Sequence, residues 1–346
     1  MMPTFTPDQL RNISIDIFKA AGVPEDESRL VSEFLVKANL AGHDSHGVIR
    51  IIQYVNEIRK GNIVPGSSIE VVRETPSSAL LNGNWGFGQV IGVKAMKMAI
   101  EKAKKNTVSV VGVYNCCHVG RLSDYTMLAA ENEMIGVAMV NSRSIVAPYG
   151  GMERMLSTGP LSYAFPTERE APFCLDIATS ICAEGKVRVM LHKGEKLPHK
   201  WIIDKYGTPS NNPADLYDGG AILPFGGEVG YKGFGLGLVI EVLTAILARS
   251  GFAFSQSKRG NGVFMEAINI ETFMPTDQFK REMDELIRAM KKSKPRPGFR
   301  EILLPGEPEF RTEQKRLKEG IYLPERTWKE ITETAAQLNV DIERYF

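Results

Sequence analysis

Residues 6–61 repeat apolar positions every three or four residues, a spacing that places them on one face of a helix. The motif T-P-D-Q at residues 6–9 predicts a capped helix start, and the apolar stripe that follows it ends near Gly22. A second helix is predicted from Pro24 to Gly42, and a third from Ser45, as its N-cap, to Gly61. The N-terminal segment, residues 1–75, is therefore predicted to be helical.

From residue 78 the pattern changes to short β-rich runs that alternate with helical stretches, as in an α/β domain. The predicted strands are residues 79–81, 108–114, 135–140, 173–177 and 221–223, and the predicted helices are 93–104, 123–131, 274–292, 311–318 and 326–338. We expect an α/β domain over residues 76–285. The C-terminal segment, residues 286–346, is expected to pack back on the N-terminal helices, so that both chain ends build one helical domain.

Charge, apolar runs and cysteine spacing exclude several classes of protein. The 346 residues carry 42 basic and 41 acidic side chains, so the chain has no electrostatic footprint for nucleic acid or an anionic membrane. The N-terminus lacks a signal-peptide pattern, and the longest apolar stretch, residues 234–248, is interrupted by Glu241 and Thr244, which predicts a buried helix. The four cysteines form no C-x-x-C motif and are expected to be reduced. These features predict a cytoplasmic protein.

The segment D-S-H-G-V-I-R-I-I-Q-Y at residues 44–54 carries the first candidate chemistry. In a helix, His46, Arg50 and Tyr54 would lie four apart along one polar stripe. With Ser45 as N-cap, the first-turn amides favour an anion, and Arg50 offers a planar fork that matches a carboxylate. His46 could then move a proton beside the bound acid. The alternative is a solvated helix face with a capping serine.

A second motif, N-C-C-H-V-G-R, places His118 at the end of a predicted strand, where an acid or base is often presented. His118 is the second candidate for proton transfer. A metal site built from His43, His46 and Cys117 is an alternative, but no third ligand pair has the right spacing and no acidic ligand can be placed. We therefore predict no metal.

Two further motifs are candidate cofactor contacts. Asp176 in L-D-I-A-T-S could orient a histidine or ribose hydroxyls, although a plain helix-capping aspartate fits equally. The glycine-rich residues 230–237, with Lys232, could approach a pyrophosphate or could only allow close helix packing. The glycines at 86, 88 and 92 fail the standard dinucleotide fingerprint, because the last is one place late and the ribose-binding acid is missing. No P-loop or G-x-S-x-G motif is present.

Six motifs occur in order from about residue 5 to the C-terminus: A-N-L-A-G-H-D-S-H-G-V-x-R, N-x-x-H-x-G-R, V-A-P-Y-G-G, L-D-I-A-T-S-x-x-A-x-G-K, Y-K-G-F-G-L and I-L-L-P-G-E-P. Together they resemble the type-2 malate/L-lactate dehydrogenase family, and most of all its hydroxycarboxylate dehydrogenase B branch. The resemblance implies hydride transfer with NAD or NADP in a non-Rossmann, L-sulfolactate dehydrogenase-like α/β fold. It also implies a homodimer with the active site near the subunit contact.

The resemblance also implies site residues, motif by motif. Its substrate and catalytic motifs fall on Ser45, His46, Arg50, Tyr54, His118 and Asp176, and its cofactor contacts on Asp176, Ala178, Thr179, Ser180, Lys232, Gly233, Gly306 and Glu307. Relatives differ over which histidine is the principal acid. Two departures bear on the cofactor side: S-T-G-P stands at residues 157–160 where relatives usually have G-T-N-P, and Tyr231 replaces the histidine of H-K-G.

The sequence therefore predicts that Arg50 binds the carboxylate of a 2-oxo acid, that a nicotinamide cofactor exchanges hydride with its 2-carbon, and that His46 or His118 exchanges the proton. Ser45 and Asp176 would orient the acid. Rival hypotheses are a cyclic imine carboxylate reductase with the same carboxylate contact, a metal-dependent lyase or hydrolase, and a binding protein without activity. The identity of the oxo acid and the choice between NAD and NADP stay open.

Overall fold

A mixed sheet lies at the centre of the fold. The structure is a computed structural model that describes residues 4–255 and 260–346. Its strands are β1 (Thr4–Phe5), β2 (Glu70–Glu74), β3 (Ser78–Asn82), β4 (Val108–Cys116), β5 (Met134–Asn141), β6 (Pro160–Phe165), β7 (Phe173–Ala178), β8 (Ile202–Ile203), β9 (Pro209–Ser210), β10 (Ala221–Ile222), β11 (Asn261–Asn269) and β12 (Ile321–Tyr322).

Seven of these strands form the main sheet, in the order β2-β3-β4-β11-β5-β6-β7. Every neighbouring pair is antiparallel except β3 and β4. This arrangement differs from the doubly wound parallel sheet of the standard dinucleotide fold, as the missing fingerprint predicts. The predicted strands at 79–81, 108–114, 135–140 and 173–177 lie in this sheet, whereas 221–223 falls on β10 of a separate small sheet, of order β10-β8-β9.

Helices cover the sheet and form a layer beside it. They are α1 (Pro7–Ala20), α2 (Glu25–Leu40), α3 (Arg50–Arg59), α4 (Gly88–Asn106), α5 (Ser123–Glu131), α6 (Glu184–Lys193), α7 (Pro213–Tyr217), α8 (Tyr231–Glu241), α9 (Thr276–Lys291), α10 (Glu307–Glu319) and α11 (Glu325–Gln337). The capping box predicted for α1 is present, since the Thr6 side chain accepts from the Gln9 amide and the Gln9 side chain accepts from the Thr6 amide. Both bonds fix the start of α1.

The two ends of the chain meet in one layer. Strand β1 pairs with β12, α10 packs on α2, and α11 packs on α3. Phe5, Ile17, Tyr54 and Ile331 belong to one buried apolar cluster. This layer holds α3 against the edge of the sheet where β4 ends.

The prediction that Ser45 caps one continuous third helix is wrong. Residues Asp44–His46 form a short 3-10 turn, and α3 begins only at Arg50. Gly47 is extended, with φ −84° and ψ −155°, and a Cβ there would lie 2.2 Å from Asn39 Oδ1. That same oxygen accepts from the Val48 amide at 2.8 Å. The Asn39 side chain therefore holds an extended residue where helix was expected.

The prediction that residues 234–248 form a buried helix is wrong for its outer face. Helix α8 continues into a π-helical turn, Val242–Leu247. Five apolar side chains, which we call the α8 patch, are between 42% and 60% exposed: Leu238, Val239, Val242, Ile246 and Leu247. The opposite face is buried, and Glu241 there accepts from the Ala253 amide at 2.6 Å. Within residues 4–255 and 260–346, no helix is both long and apolar enough to cross a membrane.

Candidate active site

An open cavity of about 810 Å³ lies between α3, the connection after β4, and the region of α6 and α7. We call it the first cavity. Although the predicted third helix is interrupted, the fold brings its residues together with the second histidine. The predicted catalytic and substrate-binding residues that line the first cavity are Ser45, His46, Arg50, Tyr54 and His118.

Arg50 is a cation in the wall of this cavity without an acidic partner. Its Nε donates to the Ser45 carbonyl oxygen at 2.7 Å, and one terminal nitrogen donates to Gln53 Oε1 at 2.5 Å. Among the described residues, no carboxylate forms an ion pair with it, and burial lowers its pKa. A half-buried guanidinium with a free donor is suited to bind a substrate carboxylate.

The two candidate histidines lie face to face. Their ring centroids are 5.5 Å apart, with 20° between the planes. Burial, and next the charge of Arg50, lower the pKa of His46 to about 3 and the pKa of His118 well below its usual value. Both rings are therefore uncharged near neutral pH in the free protein.

Each imidazole has a different partner. Ser45 Oγ lies 3.1 Å from Nδ1 of His46. Tyr54 Oη lies 2.7 Å from Nδ1 of His118, and burial raises the pKa of Tyr54 to about 12, so the phenol keeps its proton. Tyr54 also accepts from Nε2 of Gln89 at 2.8 Å. Sequence reasoning missed Gln89, which directly follows a glycine considered only for the dinucleotide fingerprint.

The segment that carries His118 is fixed from two sides. Gly88, at the start of α4, approaches it so closely that a Cβ would lie 2.3 Å from the His118 carbonyl oxygen. On the other side, Asn261 Oδ1 accepts from the Val119 amide at 3.0 Å. Asn261 also lines the first cavity and was not found from the sequence.

Three more arginines line the first cavity: Arg188, which follows the L-D-I-A-T-S motif in the sequence, and Arg143 and Arg154, which the sequence did not single out. Arg154 donates to the carbonyl oxygens of Leu216 and Gly220, and Arg188 pairs with Glu184 at 2.7 Å. Arg143 is exposed and, within the described part of the chain, has neither a hydrogen bond nor an ion pair. No motif marks Arg143 or Arg154, because each stands alone in a loop.

A second cavity, of about 420 Å³, holds Asp176 and Gly306 together with His43 and Arg121. Asp176, on β7, accepts from the Ser123 amide at the start of α5 at 2.8 Å, and burial raises its pKa. The N-cap residue of α5 is Leu122, so Asp176 is not the plain helix N-cap of the alternative hypothesis. Arg121 pairs with Asp124 at 2.5 Å. The charges of His43 and Arg121, which line the second cavity, both lower the pKa of His46, which lines the first.

The other predicted cofactor residues line neither cavity. Thr179 Oγ1 donates to the Thr158 carbonyl oxygen at 3.1 Å, and Thr158 does line the first cavity. Gly233 packs on the Phe225 backbone, while Lys232 beside it is exposed. The residues outside both cavities are Ala178, Thr179, Ser180, Lys232, Gly233 and Glu307. Their cofactor roles stay predictions.

The residues of the suggested metal site have other partners. His43 Nε2 lies 3.4 Å from Glu309, and Cys117 Sγ donates to the carbonyl oxygens of Asn62 and Trp85 at 3.3 and 3.2 Å. In the part of the chain that the structure describes, no three histidine, cysteine, aspartate or glutamate side chains form a group that could hold a metal ion.

Sequence comparisons agree with the chemistry of this site. The profile of the malate/L-lactate dehydrogenase family matches residues 5–332. Malate dehydrogenase of Pyrococcus abyssi is 41% identical over 344 residues, covering 96% of this chain and 94% of that protein. Hydroxycarboxylate dehydrogenase B of Escherichia coli K12 is 32% identical over 349 residues, covering 98% and 95%.

Solved structures share the fold. Sulfolactate dehydrogenase from Methanocaldococcus jannaschii superposes with a TM-score of 0.90 at 39% identity, covering 99% of both chains. A Δ1-piperideine-2-carboxylate reductase from Pseudomonas syringae is more distant, with a TM-score of 0.86 at 25% identity over 96% of this chain and 100% of that one. The chain therefore belongs to the malate/L-lactate dehydrogenase family and is a nicotinamide-dependent oxidoreductase of 2-hydroxy acids.

Proposed function

We propose that the first cavity binds a 2-oxo or 2-hydroxy acid, with Arg50 holding its carboxylate and His118 exchanging the proton with the oxygen on its 2-carbon. The observation that carries this proposal is the Arg50 guanidinium, which no described carboxylate neutralises, beside two stacked, uncharged imidazoles. Because Tyr54 fixes the His118 ring at Nδ1, the other ring nitrogen is available to substrate. His46 and Ser45 complete the wall beside it.

A bound nicotinamide cofactor would supply or take up the hydride at the 2-carbon. The second cavity fits such a group, since it combines a carboxylate suited to ribose hydroxyls, at Asp176, with a glycine turn. Gly306 there has φ +89°, and a Cβ would lie 3.1 Å from the Cys174 carbonyl oxygen, so the turn requires glycine where it packs against β7. His43 and Arg121 of this cavity act electrostatically on His46 of the first cavity, which supports placing substrate and cofactor next to each other there.

The second cavity also favours NAD over NADP. Its lining includes four carboxylates, and its single arginine, Arg121, is already paired with Asp124. The additional phosphate of NADP would face like charge there. The carboxylates are Asp124, Asp176, Glu309 and Glu313.

The substrate carries a second anionic group in this proposal. Malate and sulfolactate, which name several relatives, each carry a second acid group. Arg143 offers that group a cation in the first cavity, because no described side chain neutralises it. Arg188 contributes less, since Glu184 already pairs with it.

A direct assay tests these proposals. Oxidation of NADH and NADPH is followed by absorbance across oxaloacetate, sulfopyruvate, pyruvate and piperideine-2-carboxylate. We expect the highest kcat/KM with NADH and a 2-oxo acid that carries two acid groups. Turnover of the cyclic imine alone would instead support the reductase alternative, and equal use of NADPH would contradict the cofactor preference.

The exposed α8 patch supports the proposal of a homodimer. Five neighbouring apolar side chains on one helical face are unusual for a surface that stays in water. A second copy of the chain is the occupant we propose, since a two-fold contact would pair this face with itself. A cytoplasmic location stays a prediction.

A further inference from the structure

A buried amide sits behind the proposed proton-transfer histidine. Gln89 lies in the first turn of α4 and is 0% exposed. Its Nε2 donates to Tyr54 Oη at 2.8 Å, and Tyr54 Oη lies 2.7 Å from Nδ1 of His118. Within the described residues, Gln89 Oε1 is buried without any hydrogen-bond partner. Such an orphaned buried oxygen is rare and calls for a reason.

These hydrogen bonds bear on which nitrogen of His118 carries its hydrogen. A phenol has one hydrogen to donate. With the Gln89 amide donating to Tyr54 Oη, the Tyr54 hydrogen is free for Nδ1 of His118, and we assign Nδ1 as its acceptor. The uncharged ring therefore carries its hydrogen on Nε2, the nitrogen that has no described protein partner.

That form cannot act as a base on a 2-hydroxy acid. To accept the substrate hydroxyl proton at Nε2, the ring must carry its hydrogen on Nδ1 and donate it to Tyr54. The Tyr54 hydrogen then needs another acceptor. Rotation of the Gln89 amide by half a turn would place the orphaned Oε1 where Nε2 now lies and would supply that acceptor.

We propose that Gln89 is a positioning residue for proton transfer: the orientation of its amide, relayed through Tyr54, determines which nitrogen of His118 carries the hydrogen. The inference rests on the proposed proton role of His118. In oxidation, the substrate O–H bond breaks and its proton joins His118 Nε2, while the hydride leaves the 2-carbon for the nicotinamide ring. Gln89 makes and breaks only hydrogen bonds. The reverse step, from a doubly protonated ring, uses the same rotated amide.

The other groups around His118 act on it equally in both orientations of the Gln89 amide. The charged and titratable groups that face the pair are Arg50 on α3, His46 on the 3-10 turn, and Cys117 beside Tyr54. None of them bonds to Tyr54 Oη among the described residues. The amide at position 89 is thus the group whose change should move the tautomer.

Two substitutions separate this role from simple packing. Gln89→Met removes both the donor and the acceptor at similar volume, and Gln89→Glu supplies only an acceptor when ionised. Ser32→Ala is the matched control, because Ser32 Oγ is the other buried side-chain atom without a partner in the described residues. Thermal unfolding checks that each variant folds, and Gln89→Glu serves as the second variant if Gln89→Met is unstable.

Nitrogen NMR of histidine-labelled protein without ligands reads the tautomer directly, with His118→Asn identifying the signals. We expect Nε2–H in the natural chain and in Gln89→Met, and a protonated Nδ1 in Gln89→Glu. In kinetics, Gln89→Met should lower kcat for 2-hydroxy acid oxidation about tenfold or more at little change in KM. In a pH profile of kcat for the same oxidation, Gln89→Glu should move the acidic limb up by about one pH unit. A shift of that size corresponds to one hydrogen bond to a charged group.

Unchanged nitrogen shifts in Gln89→Glu, or full turnover in Gln89→Met, would overturn the inference. So would equal effects from Ser32→Ala, since they would reflect packing alone. Full turnover in His118→Asn would reject the proton role of His118 itself. The NMR result distinguishes that outcome from a failure of the relay, because it does not depend on activity.

Discussion

At the scale of single residues, burial decides the charge state of the active site. His46 and His118 are uncharged because they are desolvated beside Arg50, and no described carboxylate forms an ion pair with Arg50 in the same wall. The site thus places a positive charge beside two proton carriers. This combination suits an anionic substrate whose oxygen gains or loses a proton.

Arg50 and Arg143 should affect substrates differently. Arg50→Lys loses the planar fork and should raise KM for every 2-oxo acid about 10- to 100-fold, the effect of losing a charge-assisted hydrogen bond. Arg143→Gln should raise KM only for acids with a second anionic group and leave pyruvate unaffected. Steady-state kinetics checks both, with Arg59→Lys as the control because Arg59 is on the same helix and contacts Gln337 at the surface. Equal effects of Arg143→Gln on all acids would reject the second subsite.

Acid should destabilise the protein partly through His46. Its pKa is about 3 in the folded chain and about 6.5 in the unfolded chain, so the unfolded state binds more protons below pH 6.5. This contribution is present above pH 6.5 and is lost as the pH falls toward 3. When the pH falls from 6.5 to 4.5, the free energy of unfolding should decrease in both proteins. Allowing for the partial exposure of His46, we expect this decrease to be about 1 kcal/mol smaller in His46→Asn than in the natural chain.

Denaturant unfolding at the two pH values measures this difference. The control is His192→Asn, because His192 is exposed on α6 and meets water in both states. If the free energy of unfolding decreased equally in His46→Asn and in the natural chain, protonation of His46 would not destabilise the folded protein.

At the scale of elements, close backbone approaches place the catalytic side chains. Gly47 has no side chain and so leaves room for Asn39, and it interrupts the predicted third helix. Arg50 and Tyr54 nevertheless line the cavity from α3. The glycines tested for a dinucleotide fingerprint have a packing role instead. Gly88 contacts the His118 segment, and a Cβ at Gly92 would lie 2.5 Å from the Tyr125 ring.

Gly88→Ala should displace His118. The added methyl would meet two carbonyl oxygens, of Cys117 and His118, at 2.4 and 2.3 Å, and neither can move as a flexible side chain does. We expect a loss of about 1–3 kcal/mol in unfolding free energy and a fall in kcat. Lys97→Ala on the exposed face of α4 is the control and should change neither. Full activity with natural stability in Gly88→Ala would contradict the close approach.

At the scale of the whole molecule, two features stand out: the layer built from both chain ends and the exposed α8 patch. The layer built from both ends supports α3 and so one wall of the first cavity. The α8 patch continues outward from a helix whose inner face carries the buried Glu241. A second copy of the chain that packed on this patch would remove its five apolar side chains from water.

Charges in the α8 patch should separate the subunits. Val242→Glu and Ile246→Glu would place carboxylates in an apolar contact without partners, which is costly. We expect light scattering to report a dimer for the natural chain and a monomer for the double variant. Leu286→Glu is the matched control, since Leu286 is a similarly exposed apolar residue on α9. A natural chain that is monomeric at micromolar concentration would reject the dimer.

The sequence by itself determined most of the helices, four strands of the main sheet and the functional groups of the candidate site, but it did not predict β2, β6 or the central strand β11. Apolar spacing gave α5 its full extent and placed α4, β4 and β7, because periodicity depends on neighbours within a few residues. The motifs named His46, Arg50, Tyr54 and His118 in advance. Only the tertiary structure decided the break at Gly47, the exposure of the α8 patch, and the partners of His118. Tyr54 and Gln89 reach His118 from separate helices, and burial of that kind depends on contacts between distant residues, which no local pattern records.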